Sequence, residues 1–284
     1  MTVSSSPANL LTSVAFLNRF REATHAAYEA QQDSRVLWRL AELDRALGNL
    51  PVAAAEYQQY AVLHPEEKKA QVLGALMAGT AAGLVEDADG VIPFVLVKDL
   101  APEIILKEIR RTLERKREQF AVAKIGHREL ERVDLDTRAA VFFRGDEELH
   151  GMTQGLLRET IRAQGVLERL GLESISETRE EVEAIAYASG GKYAVHRDNA
   201  PKVDNGRVLT VVWFIHDEPK GFSGGDLLLH DEPPAGQGFT RIVPVRNSAV
   251  FFPSNCLHEV TPVESTVSDV LCSRMVLNGW FLKP

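Results

Sequence analysis

The sequence predicts an α+β protein, with an α-helical region over residues 1–88 and a strand-rich domain with supporting helices over residues 89–284. Three observations carry that reading. Between residues 10 and 84 apolar side chains recur at helical spacing, and Val36, Leu40, Leu43 and Leu47 fall on one helix face. Later in the chain the pattern changes to short continuous apolar runs at 208–215, 227–229, 248–252 and 275–282. Runs of this length suit strands covered on both faces. Between the two regimes, Glu86 to Gly90 (Glu-Asp-Ala-Asp-Gly) is the polar break expected of a boundary.

Within the helical region, residues 41–65 form a helix–turn–helix pattern. Gly48 and Asn49 make the turn, Tyr57, Tyr60 and Ala61 line the following helix, and Pro65 closes it. The Leu-Gly pair, the small and aromatic positions and the closing proline resemble one tetratricopeptide-type repeat. A single such unit cannot cover its own apolar face, so helices near 10–31 and 67–84 are expected to flank it, unless it packs on the strand-rich domain. Two roles stay open for it: a module for a protein partner, peptide presentation or a dimer contact, and a helical cap that supports the fold. Further along, 91–99 reads as an entering strand. Residues 101–121 and 151–170 read as amphipathic helices that pack on the major sheet. Between them Phe142-Phe143-Arg144-Gly145-Asp146 reads as a strand and loop near a site mouth, with Arg144 and His150 as candidate substrate contacts.

The chemistry-bearing pattern is Tyr187-Ala-Ser-Gly-Gly-Lys-Tyr193-Ala-Val-His196-Arg197-Asp198-Asn199, followed by Phe-Phe-Pro-Ser-Asn-Cys-Leu-His258 and then Arg274. On a strand, residues two apart project to one face, so His196 and Asp198 can share a metal while Arg197 points away. His258, beyond the 248–252 run, is placed to supply a third ligand. Two imidazoles and one carboxylate on one face of an octahedral ion leave positions open, the arrangement of non-haem Fe(II) oxygenases. Arg274 heads an otherwise apolar strand, where an unpaired guanidinium is costly to bury and a carboxylate partner is required. Its planar fork suits bidentate binding of a carboxylate. His216 and His230 are rival ligands near strand ends, but neither has a paired carboxylate, and both read as rim histidines.

Residues from about 90 to 284 resemble the prolyl 4-hydroxylase-like branch of the Fe(II)/2-oxoglutarate dioxygenases. The resemblance rests on the two tyrosines and glycines before His196-x-Asp198-Asn199, Gly206-Arg207-x-x-Thr210, Gly224-Gly225-Asp226, Phe252-Pro253-Ser254, His258-Glu-Val-x-Pro-Val263, and Arg274 with Trp280. It implies a double-stranded β-helix, a distorted cupin-like jelly roll. It also implies Fe(II) on His196, Asp198 and His258, 2-oxoglutarate as cosubstrate with its distal carboxylate on Arg274, and dioxygen as oxidant. Tyr187 and Thr210 are further candidate contacts to the cosubstrate, and Tyr193 to substrate. The implied reaction is hydroxylation of an unactivated C–H bond with release of succinate and carbon dioxide. Desaturation, ring closure or epoxidation use the same ligands. Related halogenases replace the carboxylate with a small residue, so Asp198 favours hydroxylation.

Two positions depart from the family pattern. Residues 264–270 lengthen the connection between His258 and Arg274, and Phe214 stands where some relatives carry a tyrosine that helps hold the cosubstrate. The substrate classes compatible with the pattern are an amino-acid-like small molecule and a prolyl peptide presented by the helical region. A formal charge of −8 argues against a nucleic-acid partner. No apolar run approaches the roughly eighteen residues a spanning helix needs, so a membrane partner is not expected. Two cysteines, Cys256 and Cys272, suit a reducing compartment, and a cytoplasmic location is expected.

Overall fold

The computed structural model describes residues 12–81, 90–125, 131–200, 204–233 and 238–284. Two compact units divide the chain, one of Met1–Ile92 with His230–Arg241 and one of Pro93–Leu229 with Ile242–Pro284. The expected boundary at 88/89 lies outside the described residues.

The first unit contains α1 (Val14–Gln31), α2 (Ser34–Leu47), α3 (Leu50–Leu63) and α4 (Lys68–Ala78), each packed on the next. Asp33 caps α2 by accepting from the Arg35 amide, and α2 stops at Gly48, whose φ of 82° is a left-handed C-cap that glycine adopts without strain. Asn49 and Pro51 then open α3. The buried face of α2 is Leu37, Leu40, Ala41, Asp44, Arg45 and Leu47, whereas Val36 and Leu43 of the expected face are half-buried. The stripe is rotated because two of its members are charged and look like solvent positions in sequence. Asp44 accepts from Arg21 at 2.8 Å and from the Asn49 side chain at 2.7 Å. Arg45 donates to both carboxylate oxygens of Asp231, at 2.9 and 2.6 Å, and to Glu42 at 3.0 Å.

Residues 230–241 belong to this unit through the same kind of bond. Buried Arg241 donates to the carbonyls of Ala46 (2.7 Å) and Thr12 (2.5 Å), and the Glu232 amide donates to the Gly90 carbonyl at 2.8 Å. The helices are thus tied by buried ion pairs and backbone bonds to a segment that lies 140 residues or more further along the sequence.

The rest of the sequence supplies β1 (Val95–Val97), α5 (Glu103–Arg115), β2 (Ala121–Val122), β3 (Arg138–Ala139), β4 (Val141–Arg144), α6 (Glu147–Ala163) and α7 (Val166–Arg169). It continues with β5 (Glu180–Tyr187), β6 (Lys192–His196), β7 (Arg207–Phe214), β8 (Phe222–Gly224), β9 (Leu227–His230), β10 (Phe239–Ile242) and β11 (Ala249–Pro253). The last strands are β12 (His258–Val260), β13 (Val263–Ser265) and β14 (Arg274–Leu282). The major sheet has seven strands in the order β1-β11-β7-β14-β5-β4-β2, all paired antiparallel. In the second sheet β9, β12, β6 and β3 lie side by side in that order. This is the distorted jelly roll, or double-stranded β-helix.

The continuous apolar runs are explained by two covered faces of the major sheet. Leu209, Val211 and Trp213 of β7, Met275, Leu277 and Phe281 of β14, and Val182, Ala184 and Ala186 of β5 form one core with Leu106, Ile109 and Leu113 of α5 and Leu149, Leu157 and Ile161 of α6. The alternate residues of β7, β14 and β5 therefore face the interior of the roll. Helix α6 begins earlier than its apolar pattern suggests, because Asp146 caps it by accepting from the Leu149 amide at 3.1 Å.

Asp231→Ala is expected to lower unfolding free energy by about 3 kcal/mol, since it leaves the fully buried Arg45 guanidinium with a single acid. Urea denaturation followed by far-ultraviolet dichroism measures it. A loss near zero would mean that Glu42 alone satisfies the charge.

Candidate metal and cosubstrate site

Strand alternation was expected to place His196 and Asp198 on one face, but β6 ends at His196 and Asp198 lies in the bend that follows. Its position comes from loop bonds instead. Asn205 donates through its side chain to the Asp198 carbonyl at 2.7 Å, the Asn199 amide donates to the Ser254 carbonyl at 2.8 Å, and the Asn199 side chain donates to the Arg207 carbonyl at 2.8 Å. His258 opens β12, and its register partner on β6 is His196. Antiparallel pairing therefore sets the two imidazoles side by side, with ring centroids 4.1 Å apart.

The ligand atoms of His196, Asp198 and His258 lie within 4.8 Å of one another. Nε2 of His196 is 3.8 Å from one Asp198 oxygen and Nε2 of His258 is 3.5 Å from the other. Each imidazole has its Nδ1 against a backbone carbonyl two residues upstream, Ala194 at 2.9 Å and Cys256 at 3.0 Å. A carbonyl only accepts, so Nδ1 carries the proton and Nε2 offers its lone pair to the shared space. Burial, with the charge of His258, pushes His196 down to about 3 against the pull of Asp198, which keeps that imidazole neutral. For Asp198 burial pushes upward, but His258, His196 and the Trp280 indole outweigh it and hold the carboxyl below its ordinary range. The donor set is two imidazole nitrogens and one carboxylate, and it suits a divalent first-row metal.

Thr210, expected at the cosubstrate, has its hydroxyl 2.8 Å from Asp198 Oδ2 and 2.9 Å from Ser254 Oγ. It orients the carboxylate.

Arg274 is fully buried, and its register partner is Tyr187. Its Nε donates to the Gly225 carbonyl at 2.5 Å, and its guanidinium carbon lies 4.6 Å from the Tyr187 ring and 5.6 Å from the Phe214 ring. Both terminal nitrogens are buried without a hydrogen-bond partner. Burial pushes the guanidinium below its ordinary value, with Tyr187 and Asp226 acting in the opposite direction. A small pocket of about 20 Å³, lined by Arg274, Tyr187, His196 and His258 among others, joins the arginine to the triad. Gly224 and Gly225 both have left-handed backbone, φ 66° and 64°. A Cβ on Gly225 would stand 2.4 Å from Arg274 Cδ, so the glycine pair serves the approach of backbone to guanidinium as well as the turn. Phe214 supplies a ring face where a tyrosine hydroxyl was the expected alternative.

The three candidate substrate residues, Arg144, His150 and Tyr193, come together on a cavity of about 1060 Å³ that also reaches His196 and Asp198. Four of its residues escaped the sequence reading as contacts: Arg138, Glu183, Arg207 and Asn278. Glu183 and Asn278 were signalled faintly, as polar residues on inward-facing positions of β5 and β14. Arg138 carried no signal, because a two-residue strand has no periodicity to read. His216 is not at a rim: it is fully buried, neither ring nitrogen has a hydrogen bond, and burial lowers it to about 3. His230 belongs to the first unit. The lengthened 264–270 connection is anchored. β13 pairs with β8, and Asp269 caps the short turn Val270–Cys272 while accepting from Arg117 at 2.8 and 2.7 Å.

The family model of the 2OG-Fe(II) oxygenase superfamily matches residues 182–282, a stretch that holds all three triad residues and Arg274. These residues are similar to a 2OG-Fe(II) oxygenase domain. The chain is also similar to an uncharacterized PKHD-type hydroxylase of Synechocystis sp., 32% identical over 136 residues. That match covers 45% of this chain and 45% of the relative, so the chain spans less than half the length of the protein it matches. Among solved structures, a Pseudomonas putida prolyl-4-hydroxylase is similar with a TM-score of 0.53 at 19% identity, over 70% of this chain and 97% of that one. A Trichoplax adhaerens prolyl hydroxylase, in complex with a peptide fragment of a hypoxia inducible factor oxygen degradation domain, has a TM-score of 0.53 at 18% identity. It covers 75% of this chain and 92% of its own. Both likenesses bear on the fold, the jelly roll described above.

Thr210→Val is expected to weaken divalent metal binding by the oxygenase domain about 10- to 100-fold, since it removes the hydroxyl on Asp198 and keeps the side-chain shape. Equilibrium dialysis with Co(II) or Fe(II) measures it, and unchanged affinity would assign Thr210 to packing alone.

Proposed function

We propose that this protein is an Fe(II)- and 2-oxoglutarate-dependent dioxygenase that hydroxylates an unactivated C–H bond of an amino-acid-like small molecule. The observation that carries the reading is the pairing of a His-Asp-His ligand set with a buried arginine whose two terminal nitrogens lack partners. His196, Asp198 and His258 would hold the iron, and Arg274 would hold the distal carboxylate of 2-oxoglutarate. Bound iron, 2-oxoglutarate and dioxygen supply the oxidising power, with succinate and carbon dioxide as co-products.

The chain's own residues provide orientation and exclusion of water. Ala194 and Cys256 carbonyls fix the imidazole tautomers, and Thr210, whose hydroxyl also meets that of Ser254, fixes the carboxylate. Tyr187 and Phe214 enclose the guanidinium in aromatic faces, which strengthens its attraction for a carboxylate by removing competing water. The small-molecule reading is supported by the lining of the wider cavity, which carries charges of both signs and few aromatic side chains. A second reading, a prolyl hydroxylase acting on a peptide, draws on the cavity volume of about 1060 Å³, at the upper end for small-molecule sites. In that reading the helical unit presents the peptide. A reducing, cytoplasmic setting fits the two unpaired cysteines, Cys256 and Cys272. Among the described residues no helix is long and apolar enough to cross a membrane.

Single alanine substitutions of His196, Asp198 or His258 are expected to abolish iron-dependent succinate formation, and retained turnover would remove that residue from the triad. Arg274→Ala is expected to raise the 2-oxoglutarate requirement by about 100-fold or more, the scale of a lost bidentate charged pair, while iron binding persists. Anaerobic titration of the visible chelate band measures both. An unchanged requirement would assign the anchor to another cation.

A further inference from the structure

We infer that the wide cavity beside the triad is built for a zwitterion, a free amino acid whose carboxylate binds Arg138 and whose ammonium group binds Glu183. The inference deepens the small-molecule reading above and rests on it. On one wall Arg138 of β3 is the register partner of Tyr193, and its guanidinium lies 4.8 Å from that ring. Tyr193 in turn stacks on the ring of His196, with centroids 3.5 Å apart. A cation is thus held two side chains from the metal site. Arg138 Nη1 donates to the Lys124 carbonyl at 3.2 Å, and its Nε is buried without a partner. Among the described residues no carboxylate lies within ion-pair distance of it. Neighbouring cations are provided for: Arg207 donates through Nε to Glu181 at 3.0 Å, Arg132 is 3.6 Å from Asp134, and Lys124 is 3.8 Å from Glu131.

The other wall shows the opposite deficit. Glu183 on β5 is 13% exposed and accepts no hydrogen bond among the described residues. Arg138 and Arg207 act on its charge from beyond ion-pair distance, and Arg144 stands 3.8 Å away but is 78% exposed, so solvent screens that pair. Asn278 of β14 is the register partner of Glu183, and its Oδ1 is buried with no donor. Two acceptors side by side without donors suit an ammonium group, which has three N–H bonds and a positive charge. A planar guanidinium with an orphan N–H suits a carboxylate. Both walls line one cavity with His196 and Asp198. A free amino acid satisfies both deficits at once, whereas an internal peptide segment, with neither charge, satisfies neither.

The test uses the full chain loaded anaerobically with Fe(II) and 2-oxoglutarate, and reads perturbation of the chelate band together with equilibrium dialysis. The probes are the common free L-amino acids and, for those that bind, derivatives acetylated at the amino nitrogen or amidated at the carboxylate. Either derivative is expected to bind at least tenfold more weakly than the parent. Glu183→Gln is expected to erase the penalty for acetylation and Arg138→Met the penalty for amidation, with the chelate band itself retained in both. The derivative comparison on the unaltered protein stands even where a variant fails to fold. Binding of N-acetyl-prolyl amide as tightly as any free amino acid overturns the inference and favours the peptide reading. So does an intact chelate band that no free amino acid perturbs. Absence of the chelate band in the unaltered, iron-loaded protein instead overturns the oxygenase reading, and this inference with it.

Discussion

A guanidinium buried without a counter-ion on two of its three nitrogens is a large unfavourable term, and the architecture around Arg274 is organised by it. The charge sits at the head of β14, the strand that joins β7 to β5 in the major sheet. Around it the chain provides a carbonyl from Gly225 and ring faces from Tyr187 and Phe214, each a partial compensation for lost water. The Gly225 carbonyl reaches Nε only because both glycines of the turn lack a side chain. None of these contacts meets the terminal nitrogens, which point the remaining need toward a ligand. An arginine whose folding cost is offset by a bound carboxylate, as in the proposed function, would tie occupancy of the site to stability.

The metal triad obeys a different constraint, that of fixed direction. Carbonyls at Ala194 and Cys256 choose the tautomer of each imidazole, and Thr210 holds the carboxylate that faces them. Three separate devices converge on that arrangement: strand register for His258 against His196, side-chain-to-backbone bonds for the Asp198 loop, and a hydroxyl from the major sheet. The three residues of the set therefore lie on β6, on β12 and in the bend after β6, all on the side of the second sheet, and the major sheet contributes the Thr210 hydroxyl that holds the carboxylate.

Much of this was legible in the sequence, because the long strands have two covered faces and write themselves as uninterrupted apolar runs. The family motif placed His196, Asp198, His258 and Arg274 by residue type and order. What the runs concealed was their phase. Thr210, Asn278 and Arg274 share the inward face of adjacent strands, while Trp213, Leu277 and Phe281 pack on the helices, and one polar residue in an otherwise apolar run is only a faint sign of which face is which. The short strands β2 and β3 lacked enough residues to show any period, so Arg138 went unseen. On α2 the difficulty was charge: Asp44 and Arg45 read as solvent-facing, and their partners Arg21 and Asp231 lie 23 and 186 residues away. The role of residues 230–241 in the helical unit is invisible for the same reason, since a long-range ion pair leaves no local pattern.

Tyr193 connects the two levels of the site. Its ring is stacked on the His196 imidazole on one side and faced by the Arg138 guanidinium on the other. Burial pushes its hydroxyl up to about 12, so it remains a neutral donor. A side chain in that position limits how a molecule in the outer cavity can approach the triad, because the stack excludes it from the ground directly above His196. The open approach is then past Asp198 and along the β5–β14 wall, where Glu183 and Asn278 stand in register. The inward positions of two strands would in this way decide which carbon is presented for oxidation, and a change at those positions can alter the substrate while leaving the ligand set intact.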